Sequence, residues 1–230
     1  MARATRTEYD ESQAAKRLRV PVAAFRWARS TGLVPPPTGS SSVWPRAVVE
    51  AMDAEAIKAS LPRWPISGAA AANRIAEALG TPNQPQGKAS VTAFVVRQFI
   101  RRGLLTELSA NPDGSLVNPD QVDAVCQRED LAVLVAEDTP LGPEQAASRL
   151  KVRRVEFNYM LALGWIQPAD TVDVRFGTSR AGAVPVALFR TADVDALERA
   201  HPEIDWERLR SMKPGQRSPL ATLTKAAARN

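Results

Sequence analysis

The sequence has very few of the residues on which disulfides and zinc sites depend. It contains one cysteine, Cys126, and one histidine, His201, among 230 residues. A single cysteine cannot form an intramolecular disulfide, and together with one histidine it cannot complete a zinc site from Cys and His ligands. There is also no apolar run near the roughly 20 residues needed to span a bilayer. We therefore expect no disulfide scaffold, no Cys/His zinc domain and no membrane partner.

Motifs of enzymes and exported proteins are lacking as well. The chain shows no nucleophile motif, phosphate-binding loop or metal cluster, so we predict no enzymatic activity, no cofactor and no metal. The carboxylate pairs Asp120/Asp123 and Asp193/Asp195 stand at predicted helix starts, where capping and the helix dipole explain them. The N-terminus is basic and polar without an apolar segment, so no signal peptide is expected and a cytoplasmic location follows.

Positive charge is in modest excess and unevenly distributed. The net charge is +5 and the isoelectric point is near 9.8. Residues 1–60 hold 9 Lys/Arg against 6 Asp/Glu, residues 61–138 hold 7 against 9, and residues 139–230 hold 14 against 10. Basic ends around a slightly acidic middle favour an anionic partner such as nucleic acid, although many basic proteins bind none.

A gapless internal repeat is the most informative pattern in the chain. Residues 12–34 read SQAAKRLRVPVAAFRWARSTGLV and residues 144–166 read EQAASRLKVRRVEFNYMLALGWI, an offset of 132 residues. The identical pairs are Gln13/Gln145, Ala14/Ala146, Ala15/Ala147, Arg17/Arg149, Leu18/Leu150, Val20/Val152, Phe25/Phe157 and Gly32/Gly164. Repetition at this spacing predicts a module that is used at least twice.

The first copy predicts a helix-turn-helix followed by a small hairpin. Asp10 and Gln13 have capping-box spacing, which predicts a helix from about residue 11 to residue 19. Pro21 suits the first turn of a second helix, which would run to about Ser30 and end at Gly32. Prolines and glycine after Val34 predict a hairpin, or wing, and a closing helix follows over about residues 45–59.

The same order recurs twice more along the chain. Alternating apolar residues predict a clear hairpin over residues 172–188. A degenerate copy lies between the other two. It ends at Leu116-Val117, its helices cover about residues 68–79 and 90–102, and an enlarged turn joins these helices. We name the resulting segments the first module (1–60), the middle module (61–136), the third module (137–210) and a mobile basic tail (211–230).

The module resembles the winged helix-turn-helix of the MerR and excisionase-like superfamily. The resemblance rests on Phe25-Arg26-Trp27, on Gly32-Leu33-Val34-Pro35-Pro36 and on Val43-Trp44 followed by Val49-Glu50-Ala51-Met52. It implies a mainly α fold with small β-hairpin wings, built from tandem winged helix-turn-helix domains. It also implies that the second helix enters the major groove of double-stranded DNA while the wing touches the backbone. The chain departs from the classical regulators, because no long dimerisation helix or effector domain follows the first module.

Candidate DNA contacts follow from the exposed faces expected for the second helices and wings. Arg26 and Asn158 occupy matching positions, and arginine can contact guanine while asparagine can contact adenine, so both are candidate base readers. The candidate backbone contacts are Arg17, Arg29, Arg149, Arg153 and Arg154, with Arg97, Arg101 and Arg102 in the middle module and Arg175 and Arg180 in the third wing. For any single arginine, a solvated helix face is the commoner explanation, and recurrence at matching positions is what favours binding.

Three functions are compatible with these patterns. The first is a sequence-specific, nucleoid-associated bacterial transcription regulator that lays two or three linked recognition helices on an extended asymmetric site. The second is an architectural factor, excisionase-like or for plasmid or phage maintenance, that bends DNA. The third is a set of protein-interaction modules that bind no DNA, for which the slightly acidic middle module is the best candidate. The tail would add phosphate affinity or would simply be solvated.

Overall fold

About half of the chain is helical, with small antiparallel sheets, in a computed structural model that describes residues 6–38, 42–87, 89–111, 114–174 and 182–227. The mainly α composition with short hairpins agrees with the sequence prediction. The chain divides into two compact units, Met1–Leu131 and Ala132–Asn230, so the first and middle modules share one unit. Within the described ranges no helix is long and apolar enough to cross a membrane.

The first module begins with a short strand that the sequence patterns did not predict. Its elements are β1 (Glu8–Tyr9), α1 (Glu11–Leu18), α2 (Val22–Ser30), β2 (Trp44–Pro45), α3 (Arg46–Glu50) and α4 (Ala54–Ala59). The predicted capping box is confirmed, since Asp10 accepts from the Gln13 amide and Gln13 accepts from the Asp10 amide. The predicted single closing helix is wrong, because Asp53 accepts from the amides of Glu55 and Ala56 and begins a new helix.

The middle module repeats this order with a longer connection between its first two helices. Its elements are β3 (Ile66–Ser67), α5 (Gly68–Ala78), α6 (Ala93–Arg101), β4 (Leu116–Val117) and α7 (Pro119–Cys126). Asn83 orders the enlarged turn: its amide donates to Asn73 and to the Val91 carbonyl, while its oxygen accepts from the Ser90 and Val91 amides. The hydrogen bonds of one polar side chain thus order a connection that is a tight turn in the other modules.

The third module has the largest sheet, and its predicted hairpin is confirmed. Helix α8 (Leu131–Asp138) precedes β5 (Pro140–Leu141), α9 (Pro143–Leu150), α10 (Arg154–Ala162), β6 (Asp170–Val174), β7 (Val184–Arg190), α11 (Thr191–Ala200), α12 (Trp206–Ser211) and α13 (Leu220–Ala227). Strand β7 lies between β5 and β6, and both pairs are antiparallel. In the first module the described residues of the wing form one bridge, between Thr38 and Val43.

Each module closes on itself through the same strand pair. Tyr9 lies opposite Trp44, Ile66 opposite Val117, and Leu141 opposite Phe189. These first-strand residues are spaced by the same offsets, 57 and 132, as the paired alanines of the first helices. The pairs Ala14/Ala15, Ala71/Ala72 and Ala146/Ala147 are all buried. The register and the alanines therefore define equivalent positions in three places along the chain.

Aromatic side chains fill the core behind these strands. Phe25 meets Trp44 edge to face at 5.3 Å, and Phe157 meets Phe189 in the same geometry at 5.1 Å. All four are buried, whereas Trp165 is only partly buried and stacks on His201. In the middle module Val96 and Val117 take the aromatic positions, and Phe99 replaces the small Ala28 of the first module, which restores core volume.

Part of the segment predicted as a mobile basic tail is helical. Residues 220–227 form α13, which packs against α10, and Leu220 is buried in the core of the third module. Leu220 and Ala221, which follow Pro219, are the apolar residues that this helix buries. The residues around Leu220 include few charged side chains, which favours burial. The basic composition of the whole segment hid this pattern.

The aromatic pair of the third module makes a direct stability prediction. Phe157→Ala removes a fully buried ring and its edge-to-face partner contact, so we expect a loss of about 3–5 kcal/mol in the free energy of unfolding. Denaturant titration followed by circular dichroism measures this loss. Val172→Ala, at a half-exposed strand position, serves as the control, and a Phe157 variant no less stable than that control contradicts the proposed core.

Candidate nucleic-acid interface

One ion pair recurs at equivalent positions in all three modules. An arginine on the first helix contacts a carboxylate on the helix that follows the second strand: Arg17–Glu50 at 2.5 Å, Arg74–Asp123 at 3.0 Å and Arg149–Asp195 at 2.5 Å. The three arginines follow the same offsets as the paired alanines. Each pair therefore ties the first helix of its module to the helix after the strand, and Arg17 and Arg149, predicted as DNA contacts, have this internal partner.

These arginines shift the titration of the carboxylates that they contact. The hydrogen bond from Arg17 holds the pKa of Glu50 below its usual range. Arg149 lowers the pKa of Asp195 in the same way. In the middle module Arg63, with a contact at 2.9 Å, lowers the pKa of Asp123, and Arg74 adds to the effect. All three carboxylates are therefore ionised at neutral pH.

The two arginines predicted on α2 converge on one carboxylate. Arg26 Nε lies 2.6 Å from Glu11 Oε2, and Arg29 Nη1 lies 2.8 Å from Glu11 Oε1. Glu11 is in the first turn of α1, so it connects the two helices of the pair. Two guanidinium groups share one negative charge, which leaves one net positive charge on this surface. The Arg26 side chain is 21% exposed and Arg29 40%, so both reach solvent beside each other.

On α10 the predicted contacts form a different surface. Asn158 and Val155 are exposed, and Arg154 is half-buried, donating to the Asn158 side-chain oxygen and lying 3.2 Å from Glu144. Asn158 occupies the position of Arg26, and Val155 that of Ala23. This helix therefore presents an amide and an apolar group where α2 presents a guanidinium.

Arg153 is committed to contacts inside the third module. Its Nη1 donates to the Lys213 carbonyl at 2.6 Å and to the Gln216 carbonyl at 3.0 Å, and its Nε donates to Glu156 at 3.0 Å. Glu156 is fully buried and also accepts from the Ser218 hydroxyl. The donors of Arg153 hold the segment that follows α12, and its role as a direct phosphate contact stays a prediction.

The second helix of the middle module is more deeply buried than its counterparts. Five of the nine residues of α6 are buried, including Gln98, against three of nine in both α2 and α10. Arg97 is half-buried on this helix, while Arg101 and Arg102 are exposed at its end. All three arginines have polar partners within the structure. A helix with so little exposed surface offers few side chains to a groove.

The remaining predicted contacts, Arg175 and Arg180, lie outside the described residues. Among the residues that the structure describes, no group of three or more His, Cys, Asp or Glu side chains could hold a metal ion. The chemistry available at the described surfaces is that of guanidinium and amide donors. Such groups bind phosphate oxygens and base edges.

Glu11, Glu156 and Ser218 are the polar residues that sequence reasoning missed. The contact of Glu11 could have been predicted, because Glu11 begins the first helix of a predicted tight pair and Arg26 and Arg29 lie on the second helix. The arginine–acid pairs could also have been predicted. Arg17 and Arg149 are identical positions of the repeat, and Glu50 and Asp195 lie at matching positions in the helix that closes each module. Glu156 has no such signal, because its equivalent in the first module is Ala24.

The pair Arg149–Asp195 predicts a specific pH dependence. Because the pKa of Asp195 is lowered in the folded state, the pair stabilises the protein above the unfolded pKa of about 3.9 and loses this effect as pH falls through the folded pKa. Asp195→Asn should therefore lower the unfolding free energy by about 0.2–1 kcal/mol at pH 7, and by progressively less below pH ~4. Denaturant titrations at several pH values measure the difference, with the exposed Asp173→Asn as control; a difference that grows on acidification contradicts the assignment.

Arg153 and Glu156 predict a non-additive effect on stability. Arg153→Ala leaves the buried Glu156 carboxylate without its cation, so we expect a loss of about 3–5 kcal/mol in unfolding free energy. The neutral double variant Arg153→Gln/Glu156→Gln should be clearly more stable than Arg153→Ala, since no buried charge remains. Thermal or denaturant unfolding separates the two, and a double variant at least as unstable as the single one contradicts the ion pair.

Comparisons with known proteins identify no relative for this chain: no family model, curated protein or solved structure matches it.

Proposed function

We propose that this protein binds double-stranded DNA through winged helix-turn-helix modules, with α2 and α10 as the recognition helices of a bacterial transcription regulator. The observation that carries the proposal is that the first and third modules share one scaffold but expose different side chains on their second helices. The strand register, the paired alanines and the arginine–acid pair coincide between the first and third modules, whereas Arg26 in one corresponds to Asn158 in the other. A scaffold kept constant while its exposed helix face varies is the arrangement that reading two different half-sites requires.

The side chains on each helix support different base preferences. Arginine reads guanine through two acceptors in the major groove, and asparagine reads adenine through a donor and an acceptor. Glu11 orients the Arg26 guanidinium from α1, and Arg154 donates to the Asn158 oxygen. Each base reader is thus held by a neighbouring side chain, which lowers the entropy lost on binding.

The middle module has a smaller part in this proposal. The burial of α6 supports a connecting role, with Arg101 and Arg102 at its exposed end near the DNA backbone. Residues 61–136 hold 7 Lys/Arg against 7 Asp/Glu, so this module has no net positive charge with which to attract phosphate, and this supports the same conclusion. Two reading helices in one chain then need no dimer symmetry, and the preferred site would be asymmetric.

Single substitutions at the two base readers test the proposal. We expect Arg26→Ala and Asn158→Ala each to weaken binding to a selected DNA site by about 1–3 kcal/mol and to relax the base preference at one position each. The matched controls are Lys58→Ala on α4 and Ser148→Ala on α9, both exposed, which should leave base preference unchanged. Binding is measured by fluorescence anisotropy after site selection from random duplexes.

Two outcomes would defeat the proposal. The absence of any duplex binding at low salt would remove DNA as the partner, and equal effects of the reader and control variants would remove α2 and α10 as the reading helices. Strong bending of the duplex without base preference would instead support an architectural role on the same surfaces.

A further inference from the structure

The segment after α12 forms an ordered basic turn, which we name the C-terminal turn (residues 213–217). The Gln216 amide donates to the Lys213 carbonyl at 3.2 Å, and the Lys213 amide donates to the Gln216 side chain at 2.8 Å. Gly215 has φ +84°, a left-handed conformation that glycine adopts without strain. The turn therefore has a defined backbone rather than the freedom of a tail.

Anchors on both sides fix this turn against α10. Before it, Met212 packs on the core of the third module; after it, Ser218 bonds to the buried Glu156, and Leu220 is buried. In addition, Arg153 donates to two carbonyls of the turn. Arg153 is the N-cap residue of α10, so the turn lies beside the N-terminal turn of that helix.

The charged side chains of the turn are open to solvent. Lys213 and Arg217 are both exposed, and residues 211–230 contain no acidic residue. The carbonyls of Lys213 and Gln216 accept from Arg153, whereas the side chains of Lys213 and Arg217 remain exposed. Cationic groups held at fixed positions lose less entropy on meeting a phosphate than cations on a mobile segment.

We infer that the C-terminal turn is a DNA-backbone contact of the third module, in which Lys213 and Arg217 bind phosphates and Arg153 is the positioning residue that holds the turn. The inference rests on the proposed function and deepens it. It assigns the phosphate contact beside the start of α10 to the turn that Arg153 orients, in place of Arg153 itself. Recognition helices read bases from their N-terminal residues, and phosphate contacts beside that end fix the register on the duplex.

The test compares charge removal at the turn with equal charge removal elsewhere. Lys213→Gln/Arg217→Gln should weaken binding of the full-length protein to its selected duplex about tenfold at low salt, and should make the plot of log K against log salt less steep by about 2. Arg199→Gln/Lys58→Gln removes the same charge from exposed positions on α11 and α4. That control should change the slope by much less, and both variants should unfold like the wild type.

A second pair of variants tests the role of Arg153. Arg153→Gln/Glu156→Gln leaves no buried charge, and it should flatten the salt dependence in the wild-type background. In the Lys213→Gln/Arg217→Gln background it should add nothing further, because the contacts that it positions are already absent. A further drop of about 1 in the slope would instead make Arg153 a phosphate contact in its own right.

The results that overturn this inference differ from those that defeat the proposed function. If the Asn158 and Arg26 variants weaken binding while the turn variant matches its charge control, the turn is no contact although the protein binds DNA. Tighter binding by the turn variant would make the turn an obstruction, which also overturns the inference. Absence of duplex binding by the wild-type protein defeats the proposed function itself.

Discussion

The close approach of two helices through paired alanines is the constraint on which each module depends. Ala14/Ala15, Ala71/Ala72 and Ala146/Ala147 are buried at equivalent positions. A larger side chain there would push the second helix away, and the strand pair and the core residues behind it could not close. Once the helices are at this distance, a short arginine–acid contact can connect the first helix to the one after the strand. The repeated alanines and the repeated ion pair thus use the same first helix for two different contacts in each module.

Local signals in the sequence predicted the helix pairs and the long hairpin well. Asp10 and Gln13 specify the start of α1, and alternating valines specify β6 and β7, because capping and alternation act over a few residues. The strands at Glu8–Tyr9, Ile66–Ser67 and Pro140–Leu141 escaped prediction, because each is two residues long and exists only through pairing with a distant segment. Asp53 is a residue type that often begins a helix, but the sequence prediction extended one closing helix through this position.

The candidate interface was predicted as a list of positions and not as a set of contacts. The sequence placed Arg26, Arg29 and Asn158 on second helices, where the structure also has them. It could not show that Glu11 joins two arginines, or that Arg153 faces the chain terminus, because those contacts join elements 15 to 63 residues apart. In residues 211–230 the excess of basic residues gave no sign that Leu220 and Ala221 are buried.

The sharing of arginines with internal carboxylates has a consequence for selectivity among polyanions. A chain with an isoelectric point near 9.8 could adhere to ribosomal RNA, to membranes or to any stretch of duplex. Here Glu11, Glu50 and Asp195 already neutralise guanidinium groups, so random encounters gain little counterion release. Under the proposed function, a DNA site would have to offer enough well-placed acceptors to compete with these carboxylates. The acidic residues would then set a minimum number of phosphate and base contacts below which the protein does not stay bound.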